Sequence, residues 1–258
     1  MRALPLKSRV ALVTGVSRRA GIGFAIAKRL ASLGADLCLH AYAPYDAAQP
    51  WGADADGVSA LAKELEALGA RVVALEADFR EADAPARVVE EAWRRLGRVD
   101  VLVANHTVSA SGGLEALRAD DVDRHLQVNV RATLLLVQAF AARHDGRSGG
   151  RVVLLTSGQD RAPMPGELAY AASKGALSSL VPSLAAHLAH RGITVNAVDP
   201  GATDTGWASP ELHEQVLALE PQGRWGAPDD AARVIAWLAT DDARWVTGQV
   251  IHSTGGGP

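Results

Sequence analysis

Cysteine is almost missing from this chain of 258 residues. Cys38 stands alone inside an apolar run, so no internal disulfide can form and a reducing compartment is expected. An excess of charge of one sign is missing too: a net charge of −3 offers no electrostatic footprint for DNA, RNA or anionic lipid, and no nucleic-acid partner is expected. No apolar run approaches the ~20 residues that span a bilayer. The opening residues 1–5 lack a signal-peptide core, so no membrane association and a soluble, cytoplasmic protein are expected. The histidines are scattered, and His187 and His190 have no Asp, Glu or Cys beside them as a third ligand, which argues against a metal site. Repeats, low-complexity tracts and charge blocks are likewise absent, and nothing divides residues 1–258 into more than one domain.

What the chain does have is rhythm. Short apolar, β-branched runs recur at Val10–Thr14, Leu37–His40, Val72–Leu75, Val99–Ala104, Val152–Thr156, Thr194–Val198 and Gln249–His252, and read as seven strands. Segments with apolar residues at three- and four-residue spacing lie between them: Ile22–Leu33, Val58–Leu68, Ala86–Leu96, Val122–Arg143, Ala169–His190 and Ala231–Leu238. Strands apolar on both faces that alternate with helices imply parallel βαβ crossovers, hence an α/β, Rossmann-type doubly wound sheet covered on both sides. Ligands of such sheets sit beyond the carboxyl ends of the strands, where Gly15, Asp78, Asn105, Ser157 and Pro200 all fall. The two longest helices are apolar over more of their circumference than a surface helix needs, which points to a subunit interface. Pro182 in the second is expected to remove a donor and bend the axis.

Tyr170 and Lys174 stand four residues apart in Tyr-Ala-Ala-Ser-Lys, on one helical face, with Ser157 at the end of the fifth apolar run. A phenol of ordinary pKa near ~10 is a poor proton donor or base at neutral pH, and a neighbouring ammonium favours its anion. Lys174 is therefore expected to make Tyr170 unusually acidic. Position 174 is a lysine in a chain whose cations are overwhelmingly arginine, and a compact ammonium suits proton chemistry better than a guanidinium fork.

The first strand runs through Thr14-Gly15-Val16-Ser17-Arg18-Arg19-Ala20-Gly21-Ile22-Gly23 straight into a helix. Glycines there let backbone N–H groups approach a pyrophosphate at the positive end of the helix dipole. An acidic residue ending the second strand would bind the ribose diol of NAD(H), but this strand ends Leu39-His40-Ala41-Tyr42, with no carboxylate until Asp46. Arg18 and Arg19 can supply forked bonds to a phosphate, so NADP(H) is expected in preference to NAD(H), with either arginine as the contact.

Together these residues resemble the short-chain dehydrogenase/reductase family over essentially the whole chain. The match rests on the glycine turn, Asp78 ending the third strand, the fourth-strand Asn105, Asn129 in Val-Asn-Val, Ser157, the Tyr170–Lys174 pair and Pro200-Gly201 with Thr205. The sequence is most similar to 3-oxoacyl-acyl-carrier-protein reductases. The resemblance implies that Tyr170 is the general acid, that Lys174 lowers its pKa and binds the nicotinamide ribose, and that Ser157 holds the substrate oxygen. Asn129 would hold a water linking Lys174 to solvent. It further implies cofactor contacts from Gly15, Ser17, Arg18, Arg19, Gly21, Ile22, Gly23, Asp78, Phe79, Asn105, Tyr170, Lys174, Pro200, Gly201, Thr203 and Thr205, and a homotetramer. Two departures stand out. The glycine turn carries two extra residues before Gly21, and Ala104-Asn105-His106-Thr107 replaces the usual Asn-Asn-Ala-Gly, so His106 is expected either at the cofactor edge or in local packing.

Residues 201–228, with Trp207, Leu212, Leu217 and Trp225, read either as an apolar lid over substrate or as a loop packing its own aromatics. Residues 42–57, with Tyr45 and Trp51, read either as a cover for the cofactor or as packing against a neighbouring helix. The expected activity is reversible reduction of a ketone to a secondary alcohol. The small-molecule substrate is either a 3-oxoacyl thioester on a carrier protein or a free ketone of secondary metabolism, a polyol or a hydroxysteroid. A silent NADP-binding sensor is the reading from another class, and the complete set Asn129, Ser157, Tyr170 and Lys174 speaks against it.

Overall fold

All seven apolar runs form strands. A computed structural model describes residues 4–147 and 149–257, so the first three residues of the opening segment lie outside it. The strands are β1 (Val10–Thr14), β2 (Asp36–Ala41), β3 (Val72–Glu76), β4 (Val101–Ala104), β5 (Gly150–Leu155), β6 (Ile193–Asp199) and β7 (Val250–His252). They pair in parallel in the order β3-β2-β1-β4-β5-β6-β7. The helices are α1 (Ile22–Ser32), α2 (Ala43–Ala47), α3 (Gly57–Glu66), α4 (Ala84–Leu96), α5 (Ala119–His125), α6 (Ala132–Arg143), α7 (Leu168–Leu188), α8 (Pro210–Leu217) and α9 (Pro228–Ala239).

The alternation of side chains along β1 divides the core. Val10 and Leu12 join one apolar layer with Val88, Leu136 and Leu177 of α4, α6 and α7, while Ala11 and Val13 join the other with Ile26, Leu61 and Ile235 of α1, α3 and α9. Strand order reverses between β1 and β4, so the crevice beyond their carboxyl ends is the topological switch point of the sheet.

The continuous helix expected over Val122–Arg143 is broken. α5 ends at His125, residues Leu126–Arg131 form a π-helical turn, and α6 resumes at Ala132. The cause is Asn129. Its Oδ1 accepts from Val108 N at 2.8 Å, and its Nδ2 donates to Val108 O at 3.0 Å and to Ser173 Oγ at 2.9 Å. Drawing that side chain inward between the post-β4 loop and α7 widens the turn, as π-bulges at functional sites commonly do. Pro182 lies about two turns beyond Lys174, and α7 runs on through it. Among the described residues no helix is long and apolar enough to cross a membrane.

Candidate active site

The glycine turn is held from behind. Asn105 Nδ2 donates to Thr14 O (2.9 Å) and Gly15 O (3.1 Å), which brings β4 hard against the turn. A Cβ on Gly23 would lie 2.3 Å from Gly15 O, and Gly15 itself has φ +72°, so both glycines are required by this close approach. α1 then starts after Gly21 with no side-chain cap, leaving the amides around Ile22 without a side-chain acceptor and able to meet an anion.

The two arginines diverge. Arg19 bonds Glu64 of α3, and its backbone N–H donates to Asp54 at 2.6 Å, so the Arg19 guanidinium is already paired with a carboxylate. Arg18 instead spans the crevice. Its Nη2 donates to Thr205 O at 2.9 Å, and its guanidinium carbon lies 5.6 Å from the centroid of the Trp51 ring. Trp51 Nε1 in turn donates to Asp46 Oδ1 at 3.1 Å, and Ser17 Oγ donates to Asp46 Oδ2. A carboxylate does therefore reach the turn, five residues after β2 ends, because α2 folds the chain back. Both of its oxygens are already occupied.

His106 resolves to packing rather than to the cofactor edge. It is buried, with Nε2 donating to Val128 O at 3.0 Å and Nδ1 accepting from Thr14 Oγ1 at 2.7 Å. Phe79 meets it edge-on and stacks flat on His40 at 3.9 Å. His40 Nε2 donates to Ala77 O, and burial pulls its imidazole down to about 4. Both rings are thus neutral, apolar-like supports beneath the turn. Asp78 is bonded by Arg80 through its backbone N–H and its guanidinium.

Ser157 follows β5, and α7 brings Tyr170 and Lys174 to the same edge of the sheet. Lys174 is 2% exposed, its Nζ donates to Leu155 O at 2.9 Å and lies 5.6 Å from the centroid of the Tyr170 ring. In the protein alone, burial acts against the acidity expected of the phenol from Lys174 and a bound cationic ring. Burial pushes the Tyr170 hydroxyl up to about 12, a hydrogen bond with Ser157 opposing it, while burial pulls Lys174 down to about 8. The phenol is held protonated, and the lysine donates one bond to a strand-end carbonyl.

Two residues here, Asp199 and His125, escaped sequence reading. Asp199, at the end of β6, is fully buried; its Oδ1 accepts from Gly201 N at 3.0 Å and its Oδ2 from His252 Nδ1 at 3.0 Å, fixing the Pro200-Gly201 turn. Its signal was a carboxylate ending an apolar run. Tyr45 accepts from Ser109 N at 3.0 Å, so this part of segment 42–57 packs on the post-β4 loop. His125, four residues before Asn129, lies against Tyr170. In residues 201–228 the aromatics pack on each other: Trp225 is buried, stacks on His213 and meets Trp207 edge-on, with Trp207 Nε1 donating to Thr203 O. The Thr203 hydroxyl turns back to Pro200 O and Gly201 O.

The comparisons agree with this geometry. Residues 15–257 match the family model described as enoyl-(acyl carrier protein) reductase. An uncharacterized oxidoreductase of Bacillus subtilis, YjdA, is 42% identical, with 97% of each chain covered. The 3-oxoacyl-[acyl-carrier-protein] reductase FabG of Staphylococcus aureus is 33% identical over 96% of this chain and 98% of its own. A short chain dehydrogenase from Burkholderia cenocepacia, solved in complex with NADP, superposes with a TM-score of 0.87 at 36% identity, covering 98% of both chains. With its switch-point crevice, uncapped first helix and Ser157, Tyr170 and Lys174 on one sheet edge, the chain belongs to the short-chain dehydrogenase/reductase family of oxidoreductases, as a 3-oxoacyl reductase-like member.

Proposed function

We propose that the protein reduces a ketone to a secondary alcohol, reversibly, with NADP(H) as cofactor. The observation that carries this reading is the convergence of Ser157, Tyr170 and Lys174 on the sheet edge that also holds the uncapped start of α1. When bound, the reduced nicotinamide supplies the hydride. Gly15, Gly21, Ile22 and Gly23 would hold the pyrophosphate, Asp78, Phe79 and Asn105 would border the adenine half, and Pro200, Gly201, Thr203 and Thr205 the nicotinamide half. Ser157 hydrogen-bonds the carbonyl oxygen, and Tyr170 delivers its proton to that oxygen as negative charge builds on it. A protonated phenol is the correct starting form for this direction. The phenolate left behind is what the buried Lys174 ammonium stabilises, its Nζ 5.6 Å from the ring centroid and with little water to screen it. Asn129 fixes the loop and α7 on either side, and from there it would hold a water linking Lys174 to solvent. Loss of NADPH absorbance across a panel of ketones tests the reading, and a panel without turnover rejects it.

Preference for NADP(H) follows from Arg18, the cation in the crevice, with Ser17 beside it. Asp46 keeps its negative charge while accepting from Ser17 and Trp51 and so opposes this preference, which rests on Arg18. Arg18→Ala is expected to raise the KM for NADPH about tenfold or more and to leave that for NADH within about twofold. Initial rates with both cofactors decide; equal losses would remove the phosphate role.

The substrate proposed first is a 3-oxoacyl thioester, as the similarity to FabG supports, and the second is a free ketone. An acidic carrier needs a basic docking surface, and Arg191 at the end of α7 keeps its charge while donating to Ala141 O and His144 O. Comparing acetoacetyl thioester with free diketones separates the two, and faster turnover of the diketones would reverse the order. A homotetramer is the proposed assembly, supported by the apolar groove between α6 and α7 lined by Leu134, Leu135, Val137 and Leu184.

A further inference from the structure

One buried polar atom beside Tyr170 has no part in the reaction as drawn so far. His125 ends α5 with its side chain wholly buried, and its ring meets the Tyr170 ring edge-on, centroids 6.4 Å apart and planes at 78°. Its Nδ1 lies 2.6 Å from Asp121 O. A carbonyl only accepts, so Nδ1 carries the proton and Nε2 presents a bare lone pair. Among the described residues nothing donates to that lone pair. Buried acceptors in native proteins are paired with protein or with an ordered water, and a phenylalanine would fill the same space without needing either. The charged groups around the ring are Asp121 and Arg124 on its own helix and Lys174 across from it, and burial keeps the imidazole below its ordinary value.

We infer that His125 is a positioning residue of the Tyr170–Lys174 centre, its ring bracing the phenol and its Nε2 accepting a hydrogen bond from a buried water beside that phenol. The inference rests on Tyr170 being the proton donor proposed above. A water with one hydrogen committed to Nε2 is oriented rather than tumbling, and its oxygen and second hydrogen are then fixed relative to the phenol. The imidazole stays neutral and transfers no proton. It sets the polar surroundings in which the phenolate forms, and it does so from the residue just before the widened turn that holds Asn129.

His125→Phe keeps the ring contact and the volume but removes the acceptor. It is expected to fold with unchanged or raised thermal stability, to bind NADPH as wild type does, and to lose about tenfold in kcat with KM values within about twofold. The limb of the kcat–pH profile that reports the phenol is expected to move. His125→Gln restores an acceptor and is expected to recover most of the lost kcat. Wild-type kcat and an unmoved pH profile in His125→Phe would reduce His125 to packing and overturn the inference. If that variant does not fold, a crystal structure of the wild-type NADPH complex decides: a water bonded to Nε2 supports the inference, and a dry Nε2 overturns it. That readout needs no turnover, so a wild-type protein inactive on every ketone counts against the proposed reaction alone.

Discussion

Replacing Tyr170 by phenylalanine is expected to lower turnover by about 10²–10⁴-fold while leaving NADPH affinity nearly unchanged. The ring keeps its packing against His125 and its distance from Lys174, so the variant removes one oxygen and little else. That oxygen carries the proton assigned to the substrate carbonyl in the proposed reaction; Lys174 Nζ donates to Leu155 O, and the neutral histidines 40 and 106 lie beneath the glycine turn. Single-turnover rates on wild type and variant, with cofactor binding followed by nicotinamide fluorescence, provide the check. Turnover within tenfold of wild type would remove Tyr170 from the chemistry. A parallel loss of NADPH affinity would instead make the phenol a cofactor ligand.

The sheet was legible because its evidence is local. The central strands β1, β4, β5 and β6 are short runs buried on both faces, and burial on both faces needs no knowledge of the partner; Val10–Thr14 reads the same alone as in the fold. The pair Tyr170 and Lys174 was legible for the same reason, since helical spacing fixes their common face. The direction of the phenol's shift was not legible. Spacing showed a cation nearby but not that a strand-end carbonyl takes its hydrogen bond, nor that desolvation outweighs the charge. Asn129 was found as a motif residue, yet its bonds to Val108 and Ser173, which turn the expected helix into a π-helical turn, join segments 21 and 44 residues away. Asp46 was seen and set aside as too distant from β2. Only the fold-back of α2 puts it on Ser17. What sequence reading misses here is consistently the partner of a polar side chain, because partners are chosen by tertiary contact.

Replacing Lys174 by methionine is expected to separate stability from activity. Turnover should fall by about a hundredfold or more, because the phenolate formed in the reaction loses its only buried cation. Stability at pH 7 should instead stay level or rise. Burial pulls the ammonium from 10.5 to about 8, so the folded state disfavours its charge relative to the unfolded chain. Below pH 8 both states are protonated and the native state carries the full penalty, about 3 kcal/mol from the size of the shift. Between pH 8 and 10.5 the native state releases the proton while the unfolded state keeps it, so wild-type stability climbs with pH. Cys38 works with the opposite sign above pH 9 and Tyr170 above pH 10, where the unfolded thiol and phenol ionise and the native ones, each held to about 12 by burial, do not; the wild-type climb is therefore clean only over pH 8–9, and beyond it the difference between variant and wild type carries the test. Methionine fills a similar volume without charge and leaves Leu155 O unpaired, a loss of about 1 kcal/mol. The variant should therefore exceed wild type by about 2 kcal/mol at pH 7 and lose that advantage near pH 10. Unfolding of both proteins at pH 7 and pH 9.5, at one protomer concentration, is the measurement. A variant equally destabilised at the two pH values would show that the ammonium is not strained by its burial, and the reading of Lys174 as a cation kept in a dry site for the phenolate would fail with it.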